Sequence, residues 1–312
     1  MIEFTNTRAN HLVDPFLHVW GWEIPLYLFL GGLVAGMMAI AGWFLFADRH
    51  RKVDSVMALL PGLGLLLLSL GMGALFLDLE HKLYVWRLYT TFEVTSPMSW
   101  GAWILVAVYP ALLGALLLRV PAFLRERFPA LAVLSDGLSA RTQMVRGIAA
   151  ANLVLGGLLG IYTGILLSAM GARPLWNSAV LGPLFLASGL SSAAALAHLV
   201  ARDRSESELL ARADNRFLQA EIVLLALFLI GLMSSTQVHI RAAGLLLGGP
   251  FTAVFWVGVV GIGIAVPLFI QSLAVSHRIR HTPVAPLLVL AGGFLLRFVI
   301  VHAGQVSRWG PV

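Results

Sequence analysis

The segment Ser55–Leu77, SVMALLPGLGLLLLSLGMGALFL, decides the fold because it contains no charged side chain. An α-helix needs about 20 consecutive apolar residues to cross the hydrocarbon core of a bilayer. A buried strand is usually only about 4–8 residues long, so the length of this run favours a helix over a strand. The segment therefore predicts a membrane-spanning helix that ends at the polar group beginning with Asp78.

Seven further apolar runs bring the predicted number of spanning helices to eight. Of the 312 residues, 59% are hydrophobic and only 12% are charged, about half of the roughly 25% found in ordinary soluble domains. This composition excludes a soluble enzyme, a disordered chain and a secreted disulfide scaffold. We predict an all-α integral membrane protein, a single polytopic domain over residues 1–312, with helices near 24–46, 55–77, 98–118, 147–169, 177–199, 218–238, 251–273 and 284–302.

Basic residues are distributed unevenly between the two ends of these helices. One end, which we call the arginine-rich side, carries fourteen of them: Arg49, Arg51, Lys52, Arg119, Arg125, Arg127, Arg141, Arg146, Arg202, Arg204, Arg212, Arg216, Arg278 and Arg280. The other, arginine-poor side carries six: Arg8, Lys82, Arg87, Arg173, Arg241 and Arg308. Because Lys and Arg are enriched in cytoplasmic loops, the count predicts an inner-membrane protein with both termini on the outer, periplasmic side. It also predicts contact with membrane lipid and not with nucleic acid.

The chain contains no cysteine. Thiolate zinc sites, cysteine-bound iron–sulfur clusters and c-type haem attachment are therefore excluded in this chain. Haem bound by two histidines is also not expected, because His18, His81, His239 and His302 all fall at the ends of predicted helices. The sequence predicts a chain with no haem and no metal of its own.

Polar residues gather at the arginine-poor ends of the helices. His18 and Glu23 precede or begin the first helix, and Asp78, Glu80 and His81 end the second. Ionisable groups at this depth are functional candidates. An acid next to an imidazole is suited to taking up and releasing protons.

Two residues inside later helices belong to the same candidate group. Tyr162 lies well within the fourth helix, and Arg297 lies within the eighth. The partner of Asp78 is left open between His18, His81 and Arg297. A proton route from the arginine-rich side is not predicted, because Asn152, Gln219 and Glu221 are too few and too shallow.

The segment 79–96, LEHKLYVWRLYTTFEVTS, mixes aromatic and charged residues. Such a composition is typical of an amphipathic segment that lies along a membrane interface. It is expected to lie beside the polar residues of the arginine-poor side, as a wall of a lateral pocket or a docking surface.

Several motifs follow one another along the first five predicted helices. They are WGWEIPLYLFLGGLVAG at 20–36, Asp78 at the end of the second helix, TSPMSWGAW at 95–103, YTGILLS at 162–168 with PLWN at 174–177, and PLFLAS at 183–188. In this order they resemble the motifs of the NrfD / polysulfide reductase membrane-subunit family, whose first helix the stretch 20–36 matches and the end of whose second helix Asp78 matches.

The resemblance implies a haem-free bacterial or archaeal membrane subunit that exchanges electrons with menaquinone or ubiquinone, as in anaerobic respiration. It implies a ferredoxin-like iron–sulfur partner, with a molybdopterin enzyme or a multihaem cytochrome beyond it. The first four helices would form a quinone-site bundle near the outer face. Its catalytic residues would be His18, Asp78 and Tyr162, with Glu23 as the alternative to His18.

The expected reaction is electron exchange between a lipid-soluble quinol and the partner's iron–sulfur cluster. Glu23, Glu80, His81 and Arg297 would help to bind the head group. Two other interpretations stay open: a structural anchor without quinone chemistry, and a secondary transporter. A transporter would show inverted repeats and broken helices, for which Gly261, Gly263 and Pro267 in the seventh helix are the main indication.

Overall fold

The computed structural model describes residues 20–47, 54–277 and 282–309, in which the regular secondary structure is helical, without β-strands. In chain order the helices are α1 (Glu23–Phe46), α2 (Asp54–Asp78), α3 (Arg87–Thr90), α4 (Pro97–Leu118), α5 (Ala122–Arg127), α6 (Pro129–Ser139), α7 (Thr142–Ser168), α8 (Leu181–Val200), α9 (Arg204–Met233), α10 (Gln237–Leu247), α11 (Val266–Val275) and α12 (Val284–Val306). A 3₁₀ turn at Lys82–Tyr84 precedes α3, and a π-helical stretch at Val254–Ala265 leads into α11.

Eight of these segments are long and apolar enough to cross a membrane: α1, α2, α4, α7, α8, α9, the π-helical stretch together with α11, and α12. The protein is therefore an all-α, multi-pass integral membrane protein, as the sequence predicts. The short helices α5 and α6 lie in the connection between α4 and α7, on the arginine-rich side, whereas α3 and α10 lie on the arginine-poor side.

Helix α9 begins fourteen residues earlier than the sequence predicts, at Arg204 instead of residue 218. Its 30 residues extend for about 45 Å at 1.5 Å per residue, which is longer than the hydrocarbon core of about 30 Å. The first turns of α9, with Arg204, Arg212 and Arg216, are therefore helical and not loop. Hydropathy marks only the part of a helix that lies in lipid, so it misses such an extension.

Helix α1 is the centre of the bundle and packs against α2, α7, α8 and α12. Small residues allow these close approaches. A Cβ atom on Gly36 would lie 2.3 Å from the carbonyl oxygen of Gly189 in α8, and one on Gly156 of α7 would lie 2.7 Å from that of Ala35. In lipid, packing between close backbones and not the hydrophobic effect drives helix association.

The seventh span is irregular, as its glycines and proline suggest. The π-helical stretch runs through Gly261 and Gly263 and changes to α-helix just before Pro267. A Cβ on Gly263 would lie 2.5 Å from the Cα of Gly292 in α12. The irregular segment is thereby packed tightly against α12 and is not a gap in the span.

The connection between α7 and α8 is fixed on the arginine-poor side by Trp176. Its indole nitrogen donates a hydrogen bond to the carbonyl oxygen of Ile300 at 2.8 Å, and its ring stacks on Trp20 at 5.3 Å. Gln305 exchanges two hydrogen bonds with the backbone of Trp20, at 2.9 and 3.0 Å. The PLWN motif therefore joins the beginning of α1 to the end of α12.

Candidate functional site

Two carboxylates lie together where α1 begins and α2 ends. Gly71 of α2 lies against α1, since a Cβ there would be 3.3 Å from the Cβ of Leu30. Because α1 and α2 run antiparallel from this contact, Glu23 and Asp78 lie at the same end of the two helices. Each side chain is partly buried, and the charge of Glu23 acts on Asp78. Lys82, just after α2, is the neighbouring positive charge. Two carboxylates and one ammonium make a group in which a proton can be held or released.

Three tyrosines form the next layer inward. Tyr27 follows Glu23 by one turn of α1, and it is within electrostatic range of Tyr162 of α7 and Tyr89 of α3. Tyr27 and Tyr162 are 4% and 5% exposed, whereas Tyr89 is partly buried. The tyrosine layer therefore lies about 6 Å deeper than the carboxylates, one helical turn along α1.

The position of Tyr162 depends on Gly101 of α4. A Cβ atom at Gly101 would lie 2.0 Å from the Tyr162 hydroxyl oxygen, so the phenol occupies the space that a side chain would take. Within the described residues, neither Tyr27 nor Tyr162 uses its hydroxyl in a hydrogen bond. Neither oxygen is among the fully buried side-chain atoms that lack a partner, so each hydroxyl reaches accessible space and is available to a polar group of a ligand.

A cavity of about 490 Å³ lies under the connection between α2 and α4. Glu80, His81, Arg87 and Ser99 are among its lining residues. The predicted interfacial segment 79–96 is mostly exposed, with Leu83 89% exposed. Glu80 and His81 thus lie beside the carboxylate group, in a lateral pocket and not inside the helix bundle.

The TSPMSW motif shapes this connection. Thr95 donates hydrogen bonds to Glu93 from its hydroxyl at 2.8 Å and its backbone nitrogen at 3.3 Å, and these lower the pKa of Glu93. The Ser99 hydroxyl accepts from the backbone nitrogen of Glu93 at 3.0 Å, and the Trp100 indole donates to Val94 at 2.7 Å. With Pro97 in the first turn of α4, the motif fixes the entrance to that helix and one wall of the cavity.

Arg297 does not lie beside Asp78. It is fully buried against Gly32 of α1, where a Cβ would lie 2.8 Å from its Nη2. Gly32 is nine residues beyond Glu23 in α1, about 13.5 Å along the axis. Its charged partner is Glu221 of α9, so the partner of Asp78 among described residues is not Arg297.

His18 lies outside the described residues, so its predicted place in the site stays a prediction. Two residues that the structure brings next to the candidate site, Tyr27 and Tyr89, were not singled out from the sequence. The spacing of Tyr27 from Glu23, four residues along one helix, was an available signal. Among the described residues no three His, Asp or Glu side chains are grouped so that they could hold a metal ion.

A larger cavity, of about 920 Å³, lies elsewhere among the described residues. It lies on the arginine-rich side between α1, α7, α8 and α9, and its lining includes Trp43, Gly157 and Arg216. It contains none of the candidate site residues. The volume of a cavity alone therefore does not identify the candidate site. The site is identified by its polar and ionisable side chains.

Comparison with known proteins agrees with this architecture. A family described as "Polysulphide reductase, NrfD" matches residues 10–307. Protein NrfD of Escherichia coli is 34% identical over 97% of this chain and 99% of its own length. The C subunit of polysulfide reductase from Wolinella succinogenes is 32% identical over 92% of this chain and 94% of its own length.

The fold and these matches define a polytopic membrane subunit of a redox complex. The chain belongs to the NrfD / polysulfide reductase family. The resemblance noted in its first five helices is thereby confirmed, and the match extends through the last three helices as well.

Proposed function

We propose that the chain is the quinone-reactive membrane subunit of a multisubunit oxidoreductase. The observation that carries this proposal is the layered site at the ends of α1, α2, α4 and α7. Partly buried carboxylates lie above buried tyrosines whose hydroxyls have no partner among the described residues. Hydroxyl donors suit the two oxygens of a quinone head group, and a carboxylate suits the protons that quinol releases.

Oxidation of one quinol releases two electrons and two protons. In our proposal the Tyr162 and Tyr27 hydroxyls hydrogen-bond the head group, and Asp78 accepts the first proton. Glu23, beside Asp78, is the second carboxylate and can accept the other. Glu80 and His81 line the lateral cavity through which the lipid-soluble substrate approaches. Quinone reduction uses the same groups in reverse.

The electrons would pass to an iron–sulfur subunit docked on the arginine-poor side. Exposed aromatic and basic residues of the segment 79–96, such as Trp86 and Arg87, offer a surface there. A molybdopterin enzyme or multihaem cytochrome would lie beyond that subunit. The chain itself would bind no haem and no metal.

Orientation follows from the basic residues and is tested by a reporter. A periplasm-active reporter fused after Val312 is expected to be active, and a cytoplasm-active one silent, because Lys and Arg are retained on the cytoplasmic side. The same pair of reporters placed after Ala140, between α6 and α7, should show the opposite result. A cytoplasmic C-terminus would place the candidate site on the wrong face for the proposed partner.

Gly101→Ala is expected to weaken quinol binding as much as Tyr162→Phe, or more. The new methyl group would occupy the position of the Tyr162 hydroxyl, so the phenol must move. Loss of one hydrogen bond costs about 0.5–1.5 kcal/mol, which corresponds to an increase of several-fold in KM for quinol. Steady-state kinetics of the intact complex in membranes measure the change.

Gly73→Ala is the matched control, because a Cβ there meets nothing within 4 Å although Gly73 also lies in a spanning helix. It should leave KM unchanged. Equal kinetics in the Gly101, Tyr162 and Gly73 variants would remove Tyr162 from the site.

A further inference from the structure

A polar cavity of about 520 Å³ lies at the arginine-rich ends of the helices, away from the candidate site. Its lining comes from the last residues of α1 and α4, from α5 and α6, and from the first turns of α7. It shares no lining residue with the lateral cavity or with the 920 Å³ cavity. Small-molecule sites usually have volumes of about 300–1,000 Å³, so this cavity is large enough for a lipid head group.

The lining of this cavity carries more positive than negative charge. Three guanidinium groups line it, those of Arg119, Arg125 and Arg146, together with the carboxylate of Asp136. Arg125 donates a hydrogen bond to Asp136 at 2.7 Å, so this carboxylate is already paired within the lining. The net positive charge therefore favours a ligand that carries negative charge.

Arg146 is the guanidinium best placed to bind such a ligand. It lies exposed in the second turn of α7, and it has no hydrogen-bond or ion-pair partner among the described residues. Thr142 is one turn earlier on the same face of α7, and its hydroxyl offers a further donor to the same cavity. A guanidinium can donate two parallel hydrogen bonds to a phosphate, so a phosphate group suits this pair.

The beginning of α7 adds a weaker attraction for an anion. The first backbone N–H groups of a helix have no partner within it, and they carry a partial positive charge. Arg141, at the cap position, makes no side-chain hydrogen bond to them. Since Thr142 belongs to the lining, this helix end faces the cavity and adds to the effect of the arginines.

The floor of the cavity is built from buried side chains. Leu45 of α1 and Leu118 of α4 are 5% and 4% exposed. The hydroxyls of Ser135 and Ser139 in α6 both donate to the carbonyl oxygen of Leu118, at 3.4 and 3.1 Å. These bonds hold α6 against the end of α4, so the cavity is formed by the protein alone and does not need a ligand to shape it.

The short helices α5 and α6 carry exposed apolar side chains around this cavity. Four large ones are 47–74% exposed: Phe123, Phe128, Val133 and Leu134. Apolar side chains next to arginines are typical of helices that lie in the membrane interface, at the boundary of head groups and acyl chains. We therefore expect α5 and α6 to lie in the head-group layer of the leaflet on the arginine-rich side.

We propose that the cavity binds the phosphate of an anionic phospholipid from this leaflet. Arg146 is the main phosphate ligand, and Arg119 and the Thr142 hydroxyl add to it. Basic pockets between spanning helices are suited to anionic lipid head groups. The interfacial position of α5 and α6 favours a lipid over a soluble phosphate, because lipid phosphates are concentrated at that level.

The bound lipid would be a structural ligand that ties α4, α6 and α7 together. It would contact α7 near Thr142, at the end of the helix that lies far from Tyr162. A ligand that binds only the folded state raises its stability with increasing ligand concentration. Lipid binding is therefore measured through stability, without turnover, and the result does not depend on the proposed function.

Phosphatidylglycerol titrated into the delipidated full chain in neutral detergent should raise its thermal midpoint. Phosphatidylcholine with the same acyl chains should not, because its head group has no net charge. Inorganic phosphate should not either, because it is not held at the membrane interface. An equal rise with phosphatidylcholine would show that the head group is not recognised, and an equal rise with phosphate would show a site for soluble anions. Either result would overturn the proposal.

Arg146→Gln removes the main phosphate ligand at an exposed position, so the fold should tolerate it. The phosphatidylglycerol concentration that gives half of the rise should increase at least about fivefold, the usual contribution of a basic residue near an anionic membrane surface. Arg127→Gln is the matched control, since Arg127 is exposed in α5, outside the lining, and carries the same charge. Equal titrations of the wild type and both variants would refute the role of Arg146.

Thr142→Trp should block the cavity without changing its charge, because Thr142 belongs to the lining. The rise with phosphatidylglycerol should then be lost. Gly137→Trp is the control, since a Cβ at Gly137 meets nothing within 4 Å and Gly137 is outside the lining. A full rise in the Thr142 variant would show that the lipid binds elsewhere.

A photoreactive phosphatidylglycerol locates the site in the intact complex. Mass spectrometry should find adducts in the peptides around Arg119–Arg125 and Ser139–Arg146, and excess phosphatidylglycerol but not phosphatidylcholine should suppress them. Adducts confined to other segments, such as the walls of the 920 Å³ cavity, would contradict the proposed position.

Discussion

Asp78→Asn is expected to slow quinol-linked turnover by at least about a hundredfold, since general acid–base groups contribute about 10²–10⁴ in rate. Asparagine keeps the size of the side chain but cannot accept the proton that quinol releases. Asp78 ends α2 and is only partly buried, so the fold should tolerate the change. Activity of the partner enzyme with an artificial electron donor should persist, because that route bypasses this subunit.

Glu126→Gln is the control for Asp78→Asn. Glu126 is an exposed carboxylate of α5 on the arginine-rich side, outside the candidate site, so its substitution should leave turnover unchanged. Near-normal turnover of Asp78→Asn, in membranes with intact complex, would instead identify Asp78 as an ordinary helix-end residue. The chain would then be a structural anchor.

Arg297→Gln is expected to be the most destabilising single substitution among the charged residues described. It removes the counter-charge of Glu221 and the donors to Ser188, Phe185 and Gly293. Glu221 would then be a buried carboxyl group without a nearby positive charge, and leaving a buried charge uncompensated costs about 3–5 kcal/mol. The amount of complex assembled in membranes and its thermal midpoint in detergent should both fall.

A double variant separates charge imbalance from lost packing. Glu221→Gln/Arg297→Gln has no uncompensated charge at this pair and should regain part of the stability. Arg204→Gln, at the exposed start of α9, should behave as wild type. An Arg297→Gln variant as stable as Arg204→Gln would mean that the pair contributes little.

Most of the fold could be predicted from the sequence because lipid imposes a simple rule. Every spanning backbone must satisfy its own hydrogen bonds, so apolar runs of sufficient length become helices. All eight were found, and α1, α2 and α4 agree with the prediction to within one residue at each end. Where helix α9 projects beyond the lipid, hydropathy fails, and its start was missed by fourteen residues.

The candidate site could be predicted only in part. Asp78, Glu23 and Tyr162 stand out because polar residues near the ends of apolar helices are uncommon. Tyr27 and Tyr89 do not stand out, since tyrosine is also an ordinary interfacial residue. Which residues meet depends on the packing of α1 against α2 and α7, and hydropathy carries no information about that.

The neighbours of Arg297 could not be predicted from the sequence either. From the sequence its distance along α12 allowed a position beside Asp78, and nothing identified its neighbours. The structure gives them through the small residues Gly32 and Gly293, which leave room for a guanidinium next to two backbones. The buried guanidinium of Arg297 thus occupies space that is free because these glycines have no side chains.

The most direct measurement of the central claim is the position at which a photoreactive quinone attaches to the intact complex. Mass spectrometry of the labelled protein should find adducts in the peptides around Glu23–Tyr27, Asp78–Tyr89 and Tyr162, and excess unmodified quinol should suppress them. Labelling confined to the cleft lined by Trp43, Gly157 and Phe217, and suppressed in the same way, would place the quinone on the arginine-rich side and contradict the account.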